Sequence, residues 1–580
     1  MNYKMMGRFI AQILSIEGVF MIPALIISLC GHETSAVQGF VGTILLIGII
    51  VAVLFFLCRK APNAFYAKEG LVCVGASWIV MSLVGCLPFY LSREIPAYID
   101  AFFETVSGFT TTGSSILPNV EALSKGLLYW RSFSHWLGGM GVLVFLLAFT
   151  GEKGKGFTMH LLRAESPGPS VGKLVPKMRK TASILYMIYI AMTIVNVIFL
   201  LIGQMPLFDA VCTAFGTAGT GGFGIKNDSM ASYSPYLQNV TTIFMALFGI
   251  NFSCYYLLLL RQFKGVFKDE ELRLYVGIII GSILLIVFNL RGYYDTLEET
   301  IRHAAFQVST IITTTGFATT DFDLWPAFSK AIIMLLMIVG ACAGSTGGGL
   351  KIARLLLLGH VRSVFKDEEL RLYIGIVFGS ILLIVLNLRG FYDTLGETIR
   401  HAAFTVSTII TTTGFATTDF DLWPAFSKAI IMLLMIVGAC AGSTGGGLKI
   451  ARLLLLLKSL RRNIGQVLKP RKVQVVRNNG NVVDEKILDN ANAYLAAYVV
   501  ILFVSFLIVS LDNFSVGTNF TAVLACFNNI GPGLEAVGPT CNFSAYSNLS
   551  KLILCFDMLA GRLEIFPILV LFSRSTWRSA

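Results

Sequence analysis

The chain has 580 residues, of which 55% are hydrophobic and only 13% are charged, and its formal net charge is +12. Soluble domains carry roughly 25% charged residues, so this composition, with a mean hydropathy of +0.74, excludes an ordinary soluble protein. The 11 cysteines show no paired CxxC spacing, which argues against a zinc site or a disulfide framework. We therefore expect an all-α polytopic membrane protein.

Apolar segments long enough to cross a membrane recur along the whole chain. A spanning helix needs about 20 mostly apolar residues. The first candidate is long enough to span and is followed by no clear cleavage site, so we interpret it as a membrane helix and not as a signal peptide. The candidates in chain order are residues 8–30, 39–58, 70–92, 127–150, 180–203, 237–260, 273–291, 327–350, 371–389, 425–448, 491–511 and 549–573.

Basic residues are distributed unevenly between the loops. Lysine and arginine cluster at residues 59–60, 153–180, 261–268, 351–366 and 449–477, and these clusters alternate with loops that contain few of them. By the positive-inside rule, the clusters and the N-terminus face the cytoplasm. We predict a multi-pass protein of the cytoplasmic (inner) membrane with no nucleic-acid partner. A docking surface for an acidic cytoplasmic partner is compatible with the same loops.

Two stretches, residues 266–358 (copy A) and 364–456 (copy B), are nearly the same sequence. They are offset by 98 positions (364 minus 266) and differ at only seven. Each reads as an apolar helix, a Thr/Gly loop, a second apolar helix and a Gly-Ser-Thr-Gly-Gly-Gly tract, and the same plan recurs in weaker form three more times. The predicted organisation is two leading helices (1–66), unit 1 (67–152), unit 2 (177–262), unit 3 as copy A and copy B, a cytoplasmic linker (457–489) and unit 4 (490–580).

The loop of each unit follows a half-length helix on the predicted outer side. Unsatisfied backbone groups cost several kcal/mol in hydrocarbon, so a loop at membrane depth survives only where it is buried or lines a water-filled path. Glycine lets carbonyl oxygens point at one axis, threonine adds hydroxyls, and the helix C-terminus presents partial negative charge. These features favour a filter for alkali cations over ordinary helical hairpins. Its candidate residues are Thr111, Thr112, Gly113, Thr220, Gly221, Gly222, Thr314, Thr315, Gly316, Thr412, Thr413, Gly414, Asn529, Ile530 and Gly531.

A glycine-rich tract interrupts the second helix of each copy. Three consecutive glycines do not hold a stable helix, which favours an intramembrane gate, and close helix packing through small residues is the alternative. A cation in the last apolar segment, Arg562, is expected to be functional, although a plain ion pair with Glu564 is the other interpretation. The candidate gate residues are Gly344, Ser345, Thr346, Gly347, Gly348 and Gly349 in copy A, Gly442, Ser443, Thr444, Gly445, Gly446 and Gly447 in copy B, and Arg562.

At these motifs the chain resembles the Trk/Ktr/HKT superfamily of potassium transport proteins, and within it the membrane subunits of bacterial Trk potassium-uptake systems (TrkH/TrkG type). The resemblance covers essentially the whole chain. The motifs that carry it are Thr-Thr-Thr-Gly at 110–113, His-Trp-Leu-Gly-Gly-Met-Gly at 135–141, Thr-Gly-Gly-Phe at 220–223, Thr-Thr-Thr-Gly-Phe at 313–317 and 411–415, the two glycine-rich tracts, Asn-Ile-Gly-Pro-Gly at 529–533 and Gly-Arg-Leu-Glu-Ile-Phe at 561–566.

The resemblance implies a pseudo-fourfold pore built from four helix/pore-loop/helix units. It implies that Gly113, Gly222, one of Gly316 and Gly414, and Gly531 are the filter glycines, and that glycine at 113 favours potassium over sodium. It further implies that the Gly-Ser-Thr-Gly-Gly-Gly tract is a gating loop and that Arg562 lies below the filter. The implied partners are a second copy of the chain, in a homodimer, and a cytoplasmic nucleotide-binding regulatory subunit of the TrkA/KTN type.

The chain departs from that pattern by having five units. The linkers on either side of copy A are short, about ten residues that reach at most some 35 Å, whereas copy B is followed by the long stretch 457–489. We therefore expect copy A to occupy the third quadrant and copy B to lie outside the pore. On that expectation Gly316→Arg abolishes flux and Gly414→Arg spares most of it.

Three functions remain at this point. The first is potassium uptake through a gated filter, the second is symport of potassium with sodium or protons, and the third is a non-conducting membrane scaffold. The candidate carboxylates for coupling are Glu564, Glu104 and Asp209. We find no nucleophile–base arrangement, so we predict no enzymatic activity, and potassium as the transported ion without a covalent or organic cofactor.

Overall fold

The fold is described from a computed structural model of the chain. The described residues are 2–59, 67–140, 178–222, 224–226, 228–347, 351–352, 367–414, 418–438, 440, 446–469, 471, 474–538 and 541–577. Within them 7 helices are long and apolar enough to cross a membrane. The prediction of an all-α polytopic membrane protein is confirmed.

The chain begins with two antiparallel leading helices, Tyr3–Cys30 and Thr34–Leu57. Five units follow, and each has an outer helix, a half-length pore helix and an inner helix. The outer helices are Ala67–Gly85, continued by Leu87–Leu91, then Met178–Ile202, Glu270–Asn289, Glu368–Asn387 and Glu485–Val509. The pore helices are Tyr98–Thr110, Leu207–Ala218, Leu297–Ile312, Leu395–Ile410 and Val516–Phe527. The inner helices begin with Lys125–Met140, Pro235–Phe248, Ala327–Val339, Ala425–Ile436 and Asn548–Arg562.

Short elements connect these helices. Turns of 3₁₀ helix lie at Val120–Ala122, Phe322–Leu324, Phe420–Leu422, Ser510–Asp512 and Glu535–Val537. The helix Phe263–Lys268 joins unit 2 to copy A. The helix Ile450–Leu468 begins within the last residues of copy B, and a two-stranded antiparallel hairpin, Arg477–Asn478 with Asn481–Val482, follows it. This helix and hairpin occupy most of the stretch predicted as a cytoplasmic linker.

The inner helices are not the single long spans that hydropathy predicts. In unit 2 the inner helix bends by 90° between Pro235–Phe248 and Phe252–Leu259. In unit 4 it breaks before Phe566–Phe572, where Glu564 and Ile565 both have positive φ. In copy A it ends at Val339 and in copy B at Ile436, five and six residues before the glycine-rich tract. The expected spans 237–260 and 549–573 are therefore wrong as continuous helices, because polar residues and left-handed backbone interrupt them.

The units close into a ring of five. The inner helix of each unit packs on the pore helix of the next unit along the chain, and the inner helix of unit 4 packs on the pore helix of unit 1. Side chains mark these junctions. They include Phe133 against Phe215, Arg302 with Gln238 at 3.1 Å, Phe322 against Phe404, Asn528 with Met435 at 2.8 Å and Lys551 with Asp100 at 2.5 Å. The pseudo-fourfold arrangement implied by the resemblance is therefore not what the described units form.

Candidate ion-conduction site

The five pore helices end in the same way. In each, one residue after the helix has φ near +50°: Thr111, Thr220, Thr314, Thr412 and Asn529. The backbone N–H that follows this residue donates to the carbonyl five positions back, at 2.9 to 3.4 Å. This closure is a Schellman motif, which satisfies carbonyls at the helix C-terminus that otherwise lack partners. The shared geometry makes the loops of both copies equivalent to the other three.

Two residues after each left-handed residue, the chain places a glycine with positive φ: Gly113, Gly222, Gly316, Gly414 and Gly531. At two of them the neighbouring loop leaves no room for a side chain. A Cβ on Gly222 would lie 2.6 Å from the Thr315 carbonyl oxygen, and a Cβ on Gly414 would lie 2.7 Å from the Ile530 carbonyl oxygen. Glycine is required there by both conformation and space.

Threonine at the left-handed position carries a conformational cost. A non-glycine residue in this region costs on the order of 1–3 kcal/mol and persists where the surroundings impose it. Thr314 offsets part of this cost because its hydroxyl donates to the Thr313 carbonyl at 2.7 Å. The use of threonine where glycine is free of strain indicates a role for the hydroxyl in the loop.

Threonine pairs brace three of the loops. The hydroxyl oxygens of Thr110 and Thr112 lie 2.7 Å apart, those of Thr313 and Thr315 lie 2.7 Å apart, and those of Thr411 and Thr413 lie 2.8 Å apart. Unit 4 has no threonine here, and the Asn529 amide donates instead to the Thr112 hydroxyl at 2.7 Å. The loops of units 4 and 1 are thereby linked directly.

The five loops surround one central cavity of about 450 Å³. All fifteen predicted filter residues line it, together with Thr346 of one glycine-rich tract and Arg562. The C-termini of the five pore helices meet at its wall, so their dipoles place partial negative charge there. The wall consists mainly of threonine and glycine, which supply hydroxyl and backbone oxygens to a bound cation.

Both copies contribute to this cavity. Thr314, Thr315 and Gly316 line it from copy A, and Thr412, Thr413 and Gly414 line it from copy B. The expectation that copy B lies outside the pore is therefore wrong. A peripheral loop would leave its polar backbone without partners in lipid, whereas in the ring the copy B loop packs on the loop of unit 4.

The glycine-rich tract of copy A lies against unit 2. The Thr220 hydroxyl donates to the Thr346 carbonyl at 3.0 Å, and the Phe252 N–H donates to the Gly344 carbonyl at 3.3 Å. A Cβ on Gly347 would lie 2.9 Å from the Thr313 carbonyl oxygen. The tract is thus directly beside two filter loops, at the bend of the unit 2 inner helix.

The remaining gate residues are only partly described. Ser345 turns back on its own tract, donating to the Cys342 carbonyl at 2.6 Å. In copy B, Gly446 and Gly447 pack against Asn528 at the base of the unit 4 loop. The predicted gate residues Gly348, Gly349, Gly442, Ser443, Thr444 and Gly445 lie outside the described residues.

A buried lysine holds the end of the copy A tract, and sequence reasoning missed it. The Lys351 ammonium donates to the Gly347 carbonyl, and Lys351 is 2% exposed. Its counterpart in copy B, Lys449, is also buried. A lysine at the end of a glycine-rich apolar tract is the sequence signal that would have found both.

Arg562 reaches the filter of unit 1. Its guanidinium donates to the Gly138 carbonyl at 2.7 Å and to the Thr111 hydroxyl at 3.4 Å. Glu564 pairs with a different cation, Arg452 of the helix Ile450–Leu468, at 2.5 Å. The alternative of a plain Arg562–Glu564 pair is therefore not what the structure contains.

A buried cation, Arg131, also lies in the cavity wall. Arg131 donates to Glu104 at 2.9 Å, and both side chains are buried. The same carboxylate accepts from the Ser115 hydroxyl at 2.9 Å and from the Ile116 N–H at 3.1 Å. Glu104 therefore has a structural role, and so does Asp209, which accepts from the Tyr233 hydroxyl at 2.9 Å.

Carboxylates also join copy B to unit 4. The Glu535 N–H donates to Asp421 at 2.6 Å, and the Ser515 hydroxyl donates to the Glu535 carboxylate. Burial raises the pKa of Asp421, whereas the hydrogen bond from Ser515 lowers the pKa of Glu535. A carboxyl group whose pKa is lowered in the folded state stabilises the fold at pH values above its ordinary pKa. The hydrogen bond between Ser515 and the Glu535 carboxylate therefore stabilises the fold less as the pH falls through the pKa of Glu535.

Apolar helices in a ring that encloses half-length pore helices define a polytopic membrane protein with a central polar site. The chain belongs to the TrkH family, described as cation transport proteins, whose model matches residues 36–369 and 392–578. The unmatched residues between them, 370–391, comprise most of the outer helix of copy B and the four residues after it.

Individual proteins agree with the family match. The chain is 28% identical to the Trk system potassium uptake protein TrkH of Salmonella typhimurium, with 100% of both chains covered. It is 27% identical to the Trk system potassium uptake protein TrkG of Escherichia coli K12, over 96% of this chain and 95% of the other. The crystal structure of the potassium transporter TrkH from Vibrio parahaemolyticus matches with a TM-score of 0.61 at 24% identity, covering 100% of each chain. That last likeness supports the fold.

Placing both copies at the cavity leads to a prediction that differs from the sequence-based one. Gly316→Arg and Gly414→Arg should each reduce cation flux at least about 100-fold, because a like charge roughly 6 Å from the ion costs ~3 kcal/mol at an effective dielectric constant of about 20. Flux is measured on purified protein in liposomes. The controls are Gly292→Arg and Gly390→Arg, exposed glycines with φ of +80° and +79° and open space at the Cβ. Normal flux through the Gly414→Arg protein would place copy B outside the path.

Proposed function

We propose that this chain takes up potassium across the cytoplasmic membrane through the cavity that the five loops enclose. The observation that carries the proposal is the repeated loop geometry: five helix C-termini, each followed by a left-handed residue and a glycine, meet around one cavity. Rings of backbone oxygens replace the water shell of a dehydrated alkali cation. The relatives named as potassium uptake proteins support potassium as the ion.

The residues then have distinct roles in the proposed path. The filter is formed by the threonines and glycines of the loops, and the pore-helix dipoles favour a cation over an anion. The glycine-rich tracts below the loops act as the gate, and Arg562 sets the electrostatic barrier at that level. Support for the gate comes from the copy A tract, where Thr346 contacts Thr220 of a filter loop.

The geometry does not favour symport. A carboxylate in the ion path would support a coupled mechanism, yet no aspartate or glutamate occurs among the described residues that line the cavity. Glu104 is bound to Arg131, and Glu564 is bound to Arg452. A gated pore is therefore the function we propose.

Partners are proposed on the same basis. We propose that the basic helix Ile450–Leu468 binds a nucleotide-binding subunit of the TrkA/KTN type, and that the chain forms a homodimer with a second copy of itself. Arg462 of this helix pairs with Glu485 at 2.6 Å, and Lys458 pairs with Glu368. The helix is thus fixed to the outer helices of two units, copy B and unit 4, so that movement of a bound subunit reaches the ring.

Growth of a cell that lacks its own potassium uptake tests the proposal. Expression of the full chain in the inner membrane should restore growth at limiting potassium, and the Gly316→Arg protein should not, because its cavity carries a fixed positive charge. Comparable amounts of the two proteins in the membrane fraction are the control. If the full chain is inserted and gives no more growth than the arginine variant, potassium uptake is excluded.

Substitution at the first filter glycine tests ion choice. Gly113→Ser should shift the reversal potential toward that of sodium by roughly 20 mV or more, since a hydroxyl and strained backbone replace the carbonyl geometry that favours larger alkali cations over sodium. Gly113 has φ of +87° and open space at the Cβ, so serine fits sterically. Gly292→Ser carries the same strain outside the cavity, at φ of +80°, and should leave the potential unchanged. An equal effect of the two substitutions would remove Gly113 from the filter.

Deletion tests the gate. Removal of Ser345 to Gly348, or of Ser443 to Gly446, should raise basal flux roughly tenfold, because a closed state favoured by only ~1.4 kcal/mol suppresses flux by that factor. Removal of the four residues 478–481 in the hairpin after copy B is the length-matched control. Unchanged flux in both tract deletions, in proteins that still insert, would place the gate elsewhere.

A further inference from the structure

The ring of five loops differs from a ring of four in its radius. We propose that this cavity passes monovalent cations larger than potassium, such as caesium and methylammonium. The inference rests on the proposed function, since it concerns the size of ion that the same path accepts. It depends on two observations: no loop is displaced from the ring, and neighbouring loops are already in contact at three of the five junctions.

All five loops have the same backbone conformation, and all five line the cavity. The loops of both copies have the same left-handed residue, the same glycine two positions later and the same hydrogen-bond closure as those of units 1, 2 and 4. Residues from all five line the cavity. A displaced loop would have lost either this conformation or its place in the wall.

Contacts between neighbouring loops prevent the ring from contracting. The Gly222 backbone lies so close to copy A that a Cβ would sit 2.6 Å from the Thr315 carbonyl oxygen, and Gly414 has the same relation to Ile530 at 2.7 Å. A Cβ on Gly531 would lie 3.1 Å from the Thr112 carbonyl oxygen. At these three junctions the loops cannot move closer together, so an added loop enlarges the circumference.

A larger circumference gives a wider opening. At equal spacing between neighbours, five oxygens form a ring with a radius about 20% larger than that of four. Potassium then lies further from each oxygen, and a larger ion fills the ring better. Cavity size and the number of coordinating oxygens are the two quantities that set alkali-ion selectivity, and both change in this ring.

The charge of the wall limits the substrate class to monovalent ions. Divalent cations bind sites that contain carboxylates, and the described lining residues include none. The charged side chains in the wall are Arg131, Lys226 and Arg562. Arg131 is paired with Glu104, and the other two cations disfavour an ion of double charge more strongly than one of single charge.

The repeat itself supplies matched controls. Deletion of residues 266–363 or of residues 359–456 removes one 98-residue period (363 minus 265, 456 minus 358) and creates no foreign junction, because Gly265 then precedes Val364 as it precedes Val266, and Leu358 then precedes Leu457 as Leu456 does. The two products have four units and differ from each other at only seven positions. Agreement between them separates an effect of unit number from an effect of one deletion.

The test measures bi-ionic reversal potentials and tracer flux for potassium, rubidium, caesium, ammonium, methylammonium and dimethylammonium in liposomes. We expect the full chain to pass caesium and methylammonium within about threefold of potassium, and the four-unit chains to pass them at least about tenfold less well relative to potassium. The Gly316→Arg form of the full chain should lose all of these fluxes together, which assigns them to one path.

Each other outcome is decisive. A full chain that conducts potassium but excludes caesium and methylammonium overturns the inference while leaving the proposed function intact, and this result needs no deletion protein. The same cation series in five-unit and four-unit chains also overturns it. Absence of potassium flux from an inserted full chain removes the proposed function itself, and the inference with it.

Discussion

The hydrogen-bonded closure at the end of each pore helix is the constraint on which the rest of this molecule depends. A helix that stops halfway through a membrane leaves carbonyls that water cannot reach, and each costs several kcal/mol if unpaired. The left-handed residue turns the chain so that the next N–H groups return to those carbonyls. The following residues, glycine among them, then face a polar cavity and not lipid.

This constraint explains why copy B enters the ring. Its loop carries the same polar backbone as the other four, and hydrocarbon offers no partners for it. Within the ring, the copy B loop packs on Ile530 and Pro532 of unit 4, and its inner helix supplies a carbonyl to Asn528. The length of a linker limits the distance between the two units that it joins. It does not determine where the polar backbone groups of a unit find hydrogen-bond partners.

Much of the fold and of the candidate site was visible in the sequence. The fifteen filter candidates stand out because threonine and glycine interrupt apolar segments, and all line one cavity; their role as a filter stays a proposal. The breaks in the inner helices of units 2 and 4 were missed, because Gly249 to Asn251 and Leu563 to Ile565 carry no glycine run. Those breaks depend on tertiary contacts, which a hydropathy pattern does not predict.

Other features of the site depend on pairs of residues that are distant in the sequence, or on residues that the sequence does not distinguish from their neighbours. Arg131 and Glu104 lie in different helices, and neither is unusual alone, so only the fold shows that they neutralise each other in the cavity wall. Lys351 was grouped with the basic loop that sets topology, yet it is buried and holds Gly347. A basic residue near a membrane helix can thus either set the topology or hold a buried loop, and its burial in the structure distinguishes the two roles.

The junctions between units have an evolutionary consequence. Each unit presents an inner helix to its successor and a pore helix to its predecessor, so every joint in the ring has the same two sides, as between the staves of a barrel. Duplicating one unit adds an interface of a kind that the chain already forms, and it requires no new complementary surface. In such an architecture the bore can change by gain or loss of a whole repeat in a single genetic event, without the gradual adjustment of side chains that a change of pore diameter would otherwise require.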